Sequence, residues 1–120
     1  MNPKIVWEDR GVYCAFTGDV VYRDINSALL EINRHENYEH FKYTIYDFST
    51  VATVSVADGD ITKMLAHTLG SAYSNPSMKT ALIGFNIDHI AVAETLQSKS
   101  KRPVELFQSM EEARAWLEAA

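Results

Sequence analysis

The feature that most constrains this chain is the repeated change in the period of its apolar residues. Short, nearly continuous runs of β-branched and aromatic residues alternate with stretches in which apolar positions recur at steps of three and four. The first pattern fits a strand in a covered sheet, the second one face of a helix. Ile5-Val6-Trp7 and Val12–Thr17 read as a hairpin around the polar turn Glu8–Gly11, with Gly11 supplying the freedom of the turn and Gly18-Asp19 ending the second strand. Ile25, Ala28, Leu29 and Ile32 then give a helical stripe with Asp24 as N-cap. Lys42–Phe48 returns to strand composition.

After Phe48 the stretch Ser49–Asp60 reads as a loop entering a second helix, whose stripe is Ile61, Met64, Leu65, Thr68, Leu69 and Ala72. Ser55–Asp58 has the form of a capping box, and Asn75-Pro76 stops the helix because the residue before a proline avoids helical dihedrals. A strand over Lys79–Phe85 follows. A third helix, capped by Asp88, carries Ile90, Val92, Ala93 and Leu96. Val104–Phe107 is a last strand, and the capping box Ser109–Glu112 opens a helix whose inner face is Ala113, Trp116 and Leu117. Strands joined through helices must pair in parallel. The expectation is one α/β domain over residues 1–120, in the order ββαβαβαβα. It has a mostly parallel sheet of about five strands, an antiparallel N-terminal hairpin strand and four helices.

Several function classes recede on composition. The 11 Lys and Arg stand against 16 Asp and Glu, a net charge of −5, so a phosphate backbone is repelled unless the cations cluster. Lys99, Lys101 and Arg102 form one tight basic group, read as a solvated connection near a helix end. No nucleic-acid partner is expected. Cys14 is the single cysteine, which excludes an internal disulfide and a cysteine-rich zinc site. Residues 1–10 do not resemble a signal peptide, and no apolar run approaches the roughly 20 residues that span a bilayer. A cytoplasmic protein with no integral membrane segment is expected.

Chemistry-bearing patterns are sparse. His35 and His40 lack the spacing that puts two imidazoles on one helical face, and His67 and His89 read as solvated or singly hydrogen-bonded, so no metal site is expected. No nucleophile elbow or phosphate-cradling glycine loop is present, and Cys14 reads as a small buried hydrophobe. No cofactor is implied. One constellation stands out. Asp47, Ser49, Thr50, Thr53 and Ser55 put a carboxylate and four hydroxyls between a strand end and a helix N-terminus, beside Asp58. Ligands of open α/β sheets gather at that edge, and a helix N-terminus favours anions. Met64 continues the site toward a pocket that Tyr46 and Phe48 could line, with Met78 adding adaptable apolar surface.

At this stretch the chain resembles the STAS domain of the anti-sigma-factor antagonist family. The resemblance rests on Asp47-Phe48-Ser49-Thr50-Val51, similar to that family's Asp-Leu-Ser-like strand end, and on the closing strand, cap and helix over Val104–Leu117. It is strongest to the small stand-alone SpoIIAA-like bacterial proteins. The resemblance implies a STAS-like fold and a non-enzymatic binding or regulatory role. A small anionic or apolar ligand, or a protein partner, would meet Asp47, Ser49, Thr50, Thr53, Ser55, Asp58 and Met64. It also raises a second reading, a phosphorylation-controlled antagonist with Thr53 or Ser55 as acceptor. The family's Asp-Ser-Ser-Gly phosphorylation run falls on Ala52-Thr53-Val54-Ser55, so its acidic residue, acceptor serine and glycine are all replaced. A third reading is an enzyme using His67 with Asp58 or Asp60. Exposed edge strands leave a homodimer open.

Overall fold

The computed structural model describes residues 3–72 and 74–119, apart from the side chains of residues 58, 65, 67–69, 71 and 72. The elements are β1 (Lys4–Trp7), β2 (Gly11–Val21), α1 (Tyr22–Asn33), a 3₁₀ turn (Tyr38–His40), β3 (Tyr43–Ser55), α2 (Asp58–Ala72), β4 (Lys79–Ile83), α3 (Ile90–Lys99), β5 (Val104–Phe107) and α4 (Met110–Glu118). The five strands lie in the sheet in chain order. β1 is antiparallel to β2, and the other three pairs are parallel. The expected architecture stands.

This order dictates where the helices go. Successive crossovers that advance in one direction with one hand put their helices on one face of the sheet. Residues of α1, α2 and α3 accordingly share a core with Val12, Cys14, Phe16, Phe48 and Leu82. α4, which crosses to no further strand, covers the opposite face, where Ala113, Trp116 and Leu117 pack on Ile45, Ala81 and Ile83. β3 feeds both layers, with Thr44 and Phe48 buried toward the first and Ile45 toward the second.

The main departure from expectation is the length of β2 and β3. Both run on as a parallel ribbon, pairing Thr17 with Thr50, Gly18 with Val51, Asp19 with Thr53, Val20 with Val54 and Val21 with Ser55. Ser49–Ser55 is therefore strand, and Gly18-Asp19 does not end β2. Thr50, Val51, Thr53 and Val54 are all β-branched, and Val20 and Val51 are buried, so strand propensity and burial act together here. Two irregularities in the register accommodate the extra β3 residues, and Gly18 sits at the second with φ of 65°.

Helix starts shift correspondingly. α1 begins at Tyr22, and Asp24 accepts the Val21 amide from within the first turn (3.0 Å) instead of standing before the helix. At α2 Asp60 accepts the Ala57 amide (2.9 Å), while the Asp58 side chain of the Ser55–Asp58 box lies outside the described residues. His89 precedes α3, and Asn86, not Asp88, organises that turn by accepting the Asp88 amide (2.9 Å). Ser109 caps α4 as expected, accepting the Glu112 amide (3.2 Å). Helical stripe positions Leu65, Thr68, Leu69 and Ala72 lie outside the described side chains.

Two glycines are fixed by contact. Gly11 takes no positive φ, contrary to its expected role; a Cβ there would lie 2.4 Å from the Tyr43 carbonyl oxygen. Gly84 has φ of 78°, and a Cβ would lie 2.6 Å from Ser49 Cα. Both obstacles are backbone and cannot rotate aside.

α4 is held to the β1–β2 turn by an ion pair. Arg114 donates from Nη1 and Nη2 to the two Glu8 oxygens (2.7 and 2.8 Å), and the Tyr43 hydroxyl also donates to Glu8. The Arg114 hydrogen bond, opposed by partial burial and aided by Tyr43, holds the Glu8 carboxyl below its ordinary pKa.

Two outcomes follow in equilibrium denaturation. Gly84→Ala loses at least about 2 kcal/mol, combining left-handed strain with backbone overlap; an unchanged midpoint would contradict the Gly84–Ser49 contact. Glu8→Gln loses about 1 kcal/mol at neutral pH, the scale of a partly exposed pair. Because the folded pKa of Glu8 is depressed, its contribution is present above the unfolded carboxylate pKa and disappears as pH falls through the folded value. The gap between wild type and Glu8→Gln therefore closes in acid, and a pH-independent gap would show that charge is not its source.

Candidate functional site

The residues singled out on β3 do not form one site. Asp47 accepts hydrogen bonds from the Tyr13 hydroxyl (2.5 Å), the Ser49 hydroxyl (2.5 Å) and the Ser49 amide (2.9 Å). Burial pushes its carboxyl up, but the bonds from Ser49 and Tyr13 outweigh that and hold it below the usual range. Asp47 is thus a carboxylate engaged in shaping the strand irregularity. The Thr50 hydroxyl donates to the Phe16 carbonyl (3.3 Å), and that of Thr53 to Asp19 Oδ1 (2.7 Å). Ser55 is exposed at the strand's end. Asp58 opens α2, but its side chain lies outside the described residues, as does that of His67. Met64 is buried on the α1–α3 side, away from Asp47. The hydroxyl-bearing loop before a helix is replaced by a paired ribbon, for the β-branched reason given above.

What the structure does assemble is a cavity between the sheet and helices α1 to α3. It offers about 90 Å³ to the centre of a water-sized sphere; by the same measure one water needs roughly 10–15 Å³. The space is therefore larger than a packing defect. Its wall brings together Tyr46, Phe48, Met64 and Met78, the pocket residues named from sequence, with Phe16 and Phe85. Phe48 and Phe85 stack with centroids 4.3 Å apart. Burial holds the Tyr46 hydroxyl well above its usual pKa and pushes the Cys14 thiol up to about 12, so neither supplies an anion.

Polar groups in the wall collect at one end, where the parallel strands begin. Thr44 and Thr80 are register partners whose hydroxyls are 3.1 Å apart. Arg102, only 8% exposed, also lines the space. Its Nη1 donates to the Tyr38 hydroxyl (2.8 Å) and the Asn75 carbonyl (3.2 Å). Asn75 in turn donates from Nδ2 to the Tyr38 and Phe41 carbonyls (2.9 and 2.7 Å). This corrects the reading of the basic group: Lys99 and Lys101 are exposed, but Arg102 is a buried residue linking the segments before β3, β4 and β5. Sequence reasoning missed Arg102 and Asn75. The one signal was an Asn-Pro step between a helix and a strand, read only as a stop.

The histidines also divide. His89 was expected in solvent; it is 4% exposed, lies edge-on to Phe85 with centroids 5.4 Å apart, and has no hydrogen-bond partner on either ring nitrogen among the described residues. His35 packs against Trp7 with ring centroids 4.3 Å apart. Among the described residues no three His, Cys, Asp or Glu side chains converge as metal ligands, and no described helix is long and apolar enough to cross a membrane. The arrangement suits retention of a molecule.

Neither a protein-family model nor a curated protein matches the sequence. Solved structures do match by shape. The unphosphorylated anti-sigma factor antagonist SpoIIAA superposes with a TM-score of 0.67 at 11% identity, covering 98% of this chain and 99% of that one. An uncharacterized protein with a SpoIIAA-like fold from Shewanella loihica PV-4 gives 0.59 at 16% identity, over 96% and 91%. The phosphorylated Bacillus cell fate determinant SpoIIAA gives 0.58 at 12% identity, over 97% and 99%. The chain therefore has a SpoIIAA-like fold.

Proposed function

We propose that this chain is a non-enzymatic binding domain that takes a small apolar molecule into the cavity between its sheet and helices α1 to α3. The single observation that carries this reading is the cavity itself, walled by Phe16, Tyr46, Phe48, Met64, Leu82 and Phe85. Space of this kind in a core costs stability unless something uses it. Aromatic and methionine walls with a few fixed polar groups are the usual makeup of a small-molecule site. A regulatory role through a protein partner is consistent with the likeness to the antagonist SpoIIAA, and the exposed face of the β2–β3 ribbon, with Thr53 and Ser55, is the surface on which bound and free states would be read. This reading places the domain in the cytoplasm, with no nucleic-acid partner.

Phosphorylation at Thr53 or Ser55 is a second reading, favoured by their exposure and by the likeness to phosphorylated SpoIIAA. It meets an electrostatic obstacle at Thr53, whose hydroxyl is 2.7 Å from the Asp19 carboxylate. A phosphate there would face like charge. Ser55 is the better acceptor of the two.

Val92, on α3, lines the cavity and tests the main reading. Enlarging a side chain in a filled core costs about 1–3 kcal/mol. Val92→Phe should instead leave the thermal midpoint nearly unchanged while weakening binding of the apolar dye Nile red by at least about tenfold, the equivalent of about 1.4 kcal/mol. A strongly destabilised variant, together with wild type that fails to bind the dye, would show that the space is not a site.

A further inference from the structure

We infer that the open edge of β1 pairs with β1 of a second copy of this chain, antiparallel across a two-fold axis at Val6. The fold treats the two edges of its sheet differently. At the β5 edge, Pro103 and Phe107 turn their carbonyls to β4, accepting the Thr80 and Gly84 amides, so the Val104 carbonyl faces outward. Gln97 Nε2 covers it (3.1 Å), and Glu105 adds a charge beside it. Such covering is one of the means by which folds block edge pairing. At the β1 edge no proline, charge or register irregularity interrupts Ile5–Trp7, and no described strand pairs with its outer side.

The register of the hairpin shows which groups are free. Glu8 donates its amide to the Gly11 carbonyl (2.9 Å), which makes these two a hydrogen-bonded pair. Such pairs alternate along an antiparallel ladder. Val6–Tyr13 and Lys4–Ala15 are therefore hydrogen-bonded as well, and the amides and carbonyls of Ile5 and Trp7 point outward. An axis at Val6 sets Ile5 against the partner's Trp7, so these outward groups satisfy one another. Side chains alternate between the faces. Ile5 packs on the core beneath α1 to α3 and Trp7 on His35, which puts Lys4, Val6 and Glu8 on the α4 face. There Val6, 41% exposed, meets the partner's Val6, and Lys4, which has no ion-pair partner among the described residues, comes opposite the partner's Glu8. On the other face the partner's Ile5 comes beside Trp7, 40% exposed, at the groove Trp7 shares with Leu30 and Arg34. A strand from an unrelated protein could use the outward backbone groups. The order cation, valine, carboxylate at Lys4, Val6 and Glu8 is complementary to its own reverse, and that selects a second copy.

A strand of 4 residues covers less than the roughly 800 Å² per partner of a standard interface, so the dimer should be weak, single at about 10 μM and mostly paired at about 1 mM. Sedimentation of the full chain across that range reads the association, and amide hydrogen exchange by NMR reads its place. On concentration the Ile5 and Trp7 amides should slow by about threefold as mass action removes the monomer, while that of Val6, already bonded to β2, changes little. Val6→Lys sets like charges against each other at the axis and should raise the dissociation constant at least about tenfold. Val21→Lys, at a similarly exposed valine on the β2–β3 ribbon, should leave it unchanged. Should Val6→Lys fail to fold, the wild-type exchange pattern still decides. A chain that stays single across the whole range would overturn the inference and leave the edge to a strand of another protein. Association that survives Val6→Lys, or that leaves the Ile5 and Trp7 amides unprotected, would overturn it by placing the contact elsewhere. None of these results bears on the cavity.

Discussion

The structure depends on covering β3. From Tyr43 to Asp47 this strand is paired on both edges, by β2 and β4, and faces helices on one side and α4 on the other. Polar side chains on that stretch are buried or half-buried, so each needs a partner inside the fold. Thr44 meets Thr80, Tyr43 meets Glu8 and Arg114, and Asp47 meets Tyr13 and Ser49. These pairings join distant parts of the chain, and they explain why a strand in this position tolerates hydroxyls and a carboxylate. The same demand governs Gly84, whose missing side chain lets the β4–α3 connection rest on the backbone of Ser49.

Element type and order were legible because they depend on local period. The stripe Ile25, Ala28, Ile32 is buried as a stripe, and the Ser109–Glu112 box caps α4 as written. Boundaries were less legible, for two physical reasons. Asp24 and Asp60 show that an acidic residue within the first turn can anchor a helix start from inside, which shifts the apparent cap. The β2–β3 ribbon shows that hydroxyl-bearing residues read as loop become strand when they are β-branched and a second strand is available to pair with them. Thr50 and Thr53 satisfy both conditions, and no feature of the sequence from 49 to 55 reveals the partner strand.

The candidate site divides along the same line. Tyr46, Phe48, Met64 and Met78 could be found because aromatic and methionine residues on inward positions mark apolar walls wherever they fall. Arg102 could not. Its neighbours Lys99 and Lys101 are solvated, and its hydrogen-bonding partner Tyr38 is 64 residues away in the chain. A buried charge of this kind is a property of tertiary structure alone, and its sequence context points to the opposite environment.

Arg102 and His89 set opposite problems for the same core. His89 places two ring nitrogens without hydrogen-bond partners among the described residues beside Phe48 and Phe85, a cost the fold carries locally. Arg102 is tied to three connections, so its removal would loosen the ends of several strands as well as withdraw a charge. Stability alone gives no reason to choose a cation there, since an apolar residue of similar volume is often as stabilising in a buried position. The hydrogen bonds explain how the guanidinium is held. They also give it a structural task, joining the segments that precede β3, β4 and β5.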